Sequence, residues 1–184
     1  MKNRPTIRRL TADEIGAKVA ELSDVLIDCV EGGASVGFMS PLTRQKADAF
    51  WLAVRERAAA GANEVLIAEV DDFLAGTVQL VAAQYENQPH RADVSKLLVH
   101  RRARRQGVGR ALMEAAEDLA RGAGKSILVL DTAGNEAERL YERLNWTAVG
   151  RVPDYALWPD GRFCDTTIMF KRLSSAENTR GGFS

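Results

Sequence analysis

Residues 99–112 read VHRRARRQGVGRAL, and this stretch connects the end of an apolar strand to the start of a helix. Gly107 and Gly109 stand where the helical period begins, so the backbone can pass close to a ligand and direct several unpaired N–H groups at one point. The positive end of the helix dipole adds to the attraction for anions. Five arginines are expected to surround the same point: Arg101, Arg102, Arg104, Arg105 and Arg110. The stretch therefore predicts an anion-binding turn, with a solvated charged loop as the simpler alternative.

Spacing distinguishes the phosphate-binding motifs that could occupy such a turn. The chain has one Gly-Lys-Ser, at 124–126. A Walker loop also requires a glycine at position 119, and the chain has Leu119 there. That tripeptide also lies between a helix and a strand, the reverse of the required order, and a turn that ends a helix explains it. A dinucleotide-binding fingerprint requires a third small residue where Leu112 stands. The spacing therefore disfavours both nucleotide-binding interpretations.

The pattern that residues 104–109 do fit is Arg/Gln-x-x-Gly-x-Gly/Ala. It resembles the pyrophosphate-binding motif of the GNAT (general N-acetyltransferase) superfamily, whose members carry acetyl groups on coenzyme A. The order of predicted elements over residues 6–173 also resembles that family. The resemblance implies a single mixed α/β domain at 1–173, with a mostly antiparallel sheet of about six to seven strands flanked by about four helices. The sheet would be splayed between the strand at 92–99 and the strand at 126–131.

Hydrophobic periodicity and turn residues predict the individual elements. Thr11 with Glu14 resembles a capping box, which indicates a helix from about Ala12 whose apolar face continues to Val30. Pro41 is expected to open a second helix that ends near position 60. The other predicted elements are strands at 6–10, 64–70, 74–84, 92–99, 126–130, 146–152 and 163–171 and helices at 107–121 and 136–144.

The composition limits the class of protein. With 184 residues, 46% of them hydrophobic, the chain can bury one proper core. Its 25 basic and 25 acidic residues give zero formal net charge, so the arginine cluster is local and nucleic-acid binding is not expected. Cys29, Cys164 and the two histidines lack disulfide-like or zinc-like spacing, which favours free thiols in a reducing compartment and no metal. Without an apolar signal core or spanning run, the protein is expected to be cytoplasmic and free of membrane, with a disordered tail at 174–184.

The resemblance implies that the strand and turn at 97–110 bind acetyl-CoA. The N–H groups of residues 105–110 would face the pyrophosphate, and the pantetheine arm would lie beside the strand. Val99 N–H would stabilise the oxyanion, although a ladder hydrogen bond is the ordinary alternative. The residues implied to bind the cofactor here are Leu97, Leu98, Val99, Arg104, Arg105, Gln106, Gly107, Val108, Gly109 and Arg110.

Residues 135–146, NEAERLYERLNW, resemble the family's Asn-x-x-Ala-x-x-x-Tyr-x-x-x-Gly-Phe segment. Asn145 and Trp146 replace the final pair, and asparagine tolerates the left-handed conformation that ends a helix while Trp146 keeps an aromatic anchor. The resemblance implies that Asn135 contacts the pantetheine arm. It also implies that Tyr141 is the general acid that protonates the leaving thiolate, with a packing role as the alternative.

Acetyl transfer to an amine also needs a proton acceptor, because an amine is mostly protonated at neutral pH. Asp93 lies on the strand that leads to Val99, and Asp131 ends the adjacent predicted strand. Side by side, these carboxylates could attract a cationic substrate and take its proton, directly or through a water. A solvated strand end is the alternative for Asp93, and a turn or helix cap is the alternative for Asp131.

Residues 31–39, 91–97 and 130–132 narrow the resemblance to the tabtoxin resistance acetyltransferases, which acetylate a small amine. This implies direct transfer, in a ternary complex, to the primary amine of a small molecule such as an amino-acid-like toxin or antibiotic. Ser35, Phe38 and Met39 would contact this acceptor, with core packing as the alternative for Phe38 and Met39. A protein or peptide N-acetyltransferase and a non-catalytic acyl-CoA-binding regulator stay open as functions, and a homodimer is compatible with the family.

Overall fold

The structure, a computed structural model, describes residues 4–173. These residues form seven strands and five α-helices around one sheet. A single 3-10 turn, Arg101–Ala103, follows the fourth strand. The predicted tail at 174–184 lies outside the described residues. The elements are β1 Thr6–Leu10, α1 Ala12–Ala17, α2 Val19–Glu31, α3 Arg44–Ala59, β2 Asn63–Val70, β3 Phe73–Ala82, β4 Arg91–Val99, α4 Val108–Gly122, β5 Ile127–Thr132, α5 Asn135–Arg143, β6 Thr147–Leu157 and β7 Phe163–Arg172.

The sheet has the order β1-β2-β3-β4-β5-β7-β6, and only β4 and β5 run parallel to each other. Residues 91–93 of β4 pair with residues 127–129 of β5, and no later residue of β4 pairs with β5. The two strands therefore separate towards their carboxyl ends. This observation confirms the predicted α/β fold and the splay between these two strands.

A bulge in β4 determines which residues face which side of the sheet. The register with β3 shifts between Thr77 and Gln79, and Lys96 has a left-handed backbone with φ 51°. Ala92 and Val94 pack in the core beneath α4, whereas Leu98 packs in the core beneath α1, α2 and α3. Without the bulge, residues an even number apart would share one face. The bulge therefore changes the direction of the side chains where β4 leaves β5.

The first predicted helix is divided in two. Its capping box is present, because Thr11 Oγ1 accepts from Glu14 N and Glu14 accepts from Thr11 N. The backbone then leaves the helical conformation at Lys18, with φ −104° and ψ 14°. The change of direction allows Ile15 on α1 and Leu22 on α2 to enter the same core. Hydrophobic periodicity alone does not show this break, because the apolar pattern continues across it.

Two other boundaries differ from the sequence prediction. The helix expected to open at Pro41 begins at Arg44, because the Thr43 hydroxyl caps it by accepting from Lys46 N at 3.3 Å. The strand expected to end at Val152 continues to Leu157 with a register shift around Pro153. Proline removes a ladder donor, which an edge strand tolerates at a bulge. None of the helices within residues 4–173 is long and apolar enough to cross a membrane.

Candidate active site

Two cavities open where β4 and β5 separate. The larger cavity has a volume of about 580 Å³ and lies along the end of β4, the turn that follows it and α5. The smaller cavity has a volume of about 340 Å³ and lies between the loop after α2, the middle of β4 and the end of β5. The cavities share five lining residues: Ala34, Val36, Leu97, Ala133 and Ala137. The two cavities are therefore adjacent parts of one site.

The turn before α4 provides the backbone groups of the larger cavity. Arg105 and Gly107 both adopt left-handed conformations, with φ 59° and 81°. The first backbone hydrogen bond of α4 runs from Ala111 N to Gly107 O at 3.0 Å. The preceding N–H groups of the first turn have no carbonyl partner within the helix, and an anion can accept from them. Gly107, Val108 and Gly109 all line the larger cavity.

The two glycines of this turn have different structural roles. Gly107 supplies the left-handed backbone, and a Cβ there would meet nothing within 4 Å. A Cβ on Gly109 would lie 3.2 Å from Cδ2 of Leu140 and 3.7 Å from Cγ2 of Val99. Gly109 therefore allows α4 to approach α5 and the end of β4. The sequence predicted the need for small residues without distinguishing these two reasons.

The arginines that precede α4 fall into two groups. Arg104, Arg105 and Arg110 line the larger cavity. Arg101 instead binds Asp28, with its backbone N–H 2.8 Å from Oδ2 and its Nε 2.9 Å from Oδ1. The Arg102 guanidinium lies over the Phe73 ring, 3.2 Å from its centroid. The expectation that all five arginines surround the anion site is therefore wrong for Arg101 and Arg102, because local partners hold them.

Val99 directs its peptide groups towards the gap between the strands. The neighbouring residue His100 donates its N–H to Ala75 O on β3 at 2.9 Å. Because N–H groups alternate in direction along an antiparallel strand, the Val99 N–H turns away from β3. The Val99 carbonyl accepts from Arg104 Nε at 3.4 Å and from Cys29 Sγ at 3.5 Å. Val99 thus has no ladder partner on β5, and its N–H is directed into the gap.

Tyr141 on α5 lines the smaller cavity and is 6% exposed. Its ring centroid lies 6.0 Å from that of Trp146. Burial, and secondly the negative charge of Asp131, raise the pKa of the Tyr141 hydroxyl well above its usual range. A tyrosine hydroxyl is protonated at neutral pH even at its ordinary pKa of about 10, so Tyr141 brings an O–H group into the cavity.

The position of α5 depends on a buried polar cluster at its end. Asn145 has φ 61°, the left-handed conformation predicted for the end of this helix. Trp146 is buried, and its Nε1 donates to Glu117 Oε1 at 3.0 Å. Lys171 Nζ lies 2.6 Å from Glu117 Oε2 and 2.6 Å from Leu144 O. This cluster ties α4, β7 and the end of α5 together and thereby positions Tyr141.

The two candidate carboxylates do not meet in one cavity. Asp131 lines the smaller cavity, beside Thr132 at the end of β5. Asp93 pairs with Val129, where β4 and β5 are still joined, and forms an ion pair with Arg91. Asp93 lines neither cavity, because the strands separate only after it. The expected pair of carboxylates is therefore not formed, and of the two only Asp131 lines a cavity.

The predicted acceptor contacts are also divided. Ser35 lines the smaller cavity and donates to Leu157 O at 3.0 Å. Phe38 packs edge-on against Phe50 with ring centroids 5.4 Å apart, which is the core-packing alternative. Met39 is 45% exposed, and neither Phe38 nor Met39 lines a cavity.

Two predicted cofactor contacts lie just outside the larger cavity. Gln106 donates its side chain to Arg102 O at 2.9 Å and does not line the cavity. Asn135 does not line it either, whereas Gly134 does. Counting back from Ala137 and Tyr141 along the family pattern also gives position 134, so the match to Asn135 was one residue out of register. The chain has a glycine where the pattern has asparagine.

Sequence reasoning missed several residues that line the site. Arg143 reaches the larger cavity from α5. Lys96, Tyr155 and Thr166 line the smaller cavity from three different strands. No local motif marks these positions, because only the tertiary structure brings them together. Among the described residues, no group of three potential metal ligands is present.

This arrangement of splayed strands, glycine turn and buried tyrosine agrees with the comparison to known families. Residues 34–146, more than half of the chain, match the model of the Acetyltransferase (GNAT) family. The chain belongs to this family. A relative from Azospirillum brasilense, described as an uncharacterized N-acetyltransferase in the hisH-hisA intergenic region, is 30% identical over 161 residues. That alignment covers 83% of this chain and 92% of the relative. The protein is therefore an N-acetyltransferase of the GNAT type, and acetyl-CoA is its acetyl donor.

Solved structures share the fold of this GNAT protein. A phosphinothricin acetyltransferase from Sinorhizobium meliloti, solved in complex with acetyl-CoA, has a TM-score of 0.78 and 17% identity, covering 97% of this chain and 93% of the other. A ribosomal-protein-alanine N-acetyltransferase from Brucella melitensis has a TM-score of 0.73 and 23% identity, covering 91% and 99%. These two names describe a small-molecule and a protein acceptor. The fold alone therefore does not select the acceptor.

Proposed function

We propose that this enzyme transfers the acetyl group of acetyl-CoA directly to the primary amine of a small molecule within a ternary complex. The observation that carries the proposal is the pair of adjacent cavities that share five lining residues. The larger one is built for an elongated anion, and the smaller one holds Tyr141 and Asp131. The two cavities allow donor and acceptor to be bound together, and holding both reactants in place lowers the entropic part of the barrier.

The residues of the larger cavity fit coenzyme A. The left-handed turn at Arg105 and Gly107 and the free N–H groups of α4 suit a pyrophosphate. Arg104, Arg105 and Arg110 add positive charge beside it. The exposed edge of β4 at 97–99 offers peptide groups to the amides of the pantetheine arm, because β5 does not pair there.

The reacting groups are supplied from both sides of the gap. When bound, acetyl-CoA supplies a thioester carbonyl and a thiolate leaving group. The Val99 N–H would donate to the carbonyl oxygen as negative charge develops on it. The Tyr141 hydroxyl, which is protonated at neutral pH and lines the same cavity, would give its proton to the thiolate.

Asp131 is the favoured acceptor for the proton of the substrate ammonium, directly or through a water. Its carboxylate lines the same cavity as Tyr141, and its charge also attracts a cationic amine. Asp93 lies near the start of β4, before the strands separate, and forms an ion pair with Arg91. Because Asp93 does not line the cavity that holds Tyr141, it could accept the proton only through an intervening water.

The enclosure of the smaller cavity supports a small acceptor. Residues 34–37 cover one side, and Tyr155 and Ala156 of β6 cover another. A volume of about 340 Å³ lies at the lower end of the range for small-molecule sites, about 300–1,000 Å³. The resemblance to the tabtoxin resistance acetyltransferases supports an amino-acid-like acceptor and a role in detoxification. Cys29 and Cys164 are buried free thiols, as suits a cytoplasmic enzyme.

The test is to incubate the purified enzyme with acetyl-CoA and a panel of small amines while following the release of free thiol. We expect turnover with one or more small amines and none with unstructured peptides that carry a free N-terminus. Mass spectrometry of the peptides distinguishes the protein-acetyltransferase alternative. Absence of turnover, together with absence of thermal stabilisation by coenzyme A, would refute the proposal.

A further inference from the structure

Lys96 places a cationic side chain in the smaller cavity at the bulge of β4. It has a left-handed backbone, and its side chain is partly buried. Its ammonium lies 5.9 Å from the centroid of the Phe50 ring on α3. The same nitrogen would lie 3.7 Å from a Cβ placed on Gly37. The ammonium thus lies near both α3 and the loop that lines the cavity.

The Lys96 ammonium has no hydrogen-bond or ion-pair partner among residues 4–173. A partly buried charge normally has a partner, because losing water costs free energy that a partner restores. Burial accordingly lowers the pKa of Lys96, while the negative charge of Asp131 opposes that shift and Arg57 adds to it. Contact with the Phe50 ring compensates only in part for the lost water. The site therefore contains a cation that is available to a ligand.

Asp131 lines the same cavity as Lys96 without forming an ion pair with it. The cavity thus presents one acidic and one basic group at different points of a small volume. A molecule that carries an amine and an anionic group would satisfy both of them. A simple monoamine would leave the ammonium of Lys96 without a partner.

We infer that Lys96 binds an anionic group of the acceptor, so that the enzyme selects amines that also carry a carboxylate. This inference rests on the proposed function and assigns a specificity-determining residue to its acceptor side. The amine would lie towards Asp131 and Tyr141, and the carboxylate would lie towards Lys96. An anionic phosphonate in place of the carboxylate would meet the same ammonium.

The experiment compares L-amino acids with the corresponding L-amino acid amides as acceptors. In each pair the amine is retained and only the negative charge is removed. For the wild-type enzyme we expect kcat/KM to favour the carboxylate by about 10- to 100-fold, the range of a charge-assisted contact. The Lys96→Met variant should lose this preference, because its kcat/KM should fall with the acid and not with the amide. The Lys96→Arg variant should retain part of the preference. Lys46→Met, an exposed lysine on α3, is the matched control.

A second measurement, of melting temperature, tests for the same preference in binding without turnover. We expect the N-acetylated amino acid, in the presence of coenzyme A, to raise the melting temperature of the wild type more than its amide does. In Lys96→Met the two should have equal effects. The inference is overturned if the wild type shows no preference for acids over amides. It is also overturned if Lys96→Met lowers kcat/KM equally for acids and amides, since that result would mean that Lys96 is structural. Failure of the proposed function appears differently, as no thiol release with any amine.

Discussion

The larger and the smaller cavity of this enzyme are built in different ways. Most of the polar groups of the larger cavity come from one continuous stretch, residues 97–110, and many of them are backbone groups. The smaller cavity is lined by residues of six separate elements, which are β4, β5, α5, β6, β7 and the loop after α2. A donor site that the backbone forms can therefore be recognised in a sequence. An acceptor site that tertiary structure assembles depends on residues scattered along the chain, and no continuous motif marks them.

Tyr141→Phe is the substitution expected to distinguish the roles of the two cavities most strongly. This change removes only the hydroxyl from the smaller cavity, and we expect turnover to fall by about 10²–10³-fold because the leaving thiolate loses its proton donor. The dissociation constant of coenzyme A should stay unchanged. Thiol release and titration calorimetry on the same preparation measure the two effects. Equal losses in turnover and cofactor affinity would show that Tyr141 only supports the fold.

Gly107→Ala should damage the larger cavity alone. A Cβ at Gly107 meets no neighbour within 4 Å, but φ 81° costs an L-residue about 1–2 kcal/mol. If the turn relaxes to avoid this strain, its N–H groups lose their common direction, and we expect coenzyme A affinity to fall by about tenfold. The matched control is Gly122→Ala, at the end of the same helix, where a Cβ also meets nothing and φ is ordinary. Similar losses in both variants would contradict the proposed role of the turn.

Two arginines that look equivalent in the sequence should differ in cofactor binding. Arg105→Ala removes a charge from the larger cavity and is expected to weaken coenzyme A binding by about fivefold, more at low salt than at high salt. Arg102→Ala removes a guanidinium that lies on Phe73 and should leave binding unchanged. Calorimetric titrations at two ionic strengths measure the difference. A salt-dependent loss for Arg102→Ala would assign that arginine to the donor site.

The smallest effect concerns ionisation of tyrosine. Tyr85 and Tyr155 are exposed, whereas burial raises the pKa of Tyr141 above the ordinary tyrosine value of about 10. Because the neutral form is favoured in the folded state, Tyr141 contributes stability below pH 10 that is lost as the pH rises further. Near-ultraviolet absorbance should show a late ionisation step, in which Tyr141 ionises only on alkaline unfolding. Tyr141→Phe should remove only the late step.

The sequence predicted the fold well because the relevant signals are local. Alternating apolar runs define the strands, and the Arg-Gly turn defines the start of α4. The break at Lys18 has no such signal, because the apolar pattern of the helix continues through it. The extension of β6 beyond Pro153 was missed for the opposite reason, since proline normally argues against a strand.

The acceptor side was less predictable, because it depends on where two strands part. Asp93 and Asp131 look like neighbours when β4 and β5 are drawn as a regular pair. The strands separate after Asp93, so that of the two carboxylates only Asp131 lines the smaller cavity. Lys96 reaches the cavity through a left-handed residue inside a strand, and neither periodicity nor residue type indicates such a bulge. Arg101 and Arg102 illustrate the same limit, since Asp28 and Phe73 are distant in sequence.

The most direct test of the two-cavity account is amide hydrogen exchange with and without coenzyme A. Saturating cofactor should slow exchange by about tenfold or more at residues 97–99 and 105–110, whose N–H groups would bind it. Exchange in β6 and in residues 35–37, which border only the acceptor side apart from Val36, should change little. Unchanged exchange at residues 105–110, or stronger protection in β6 than in that turn, would contradict the account.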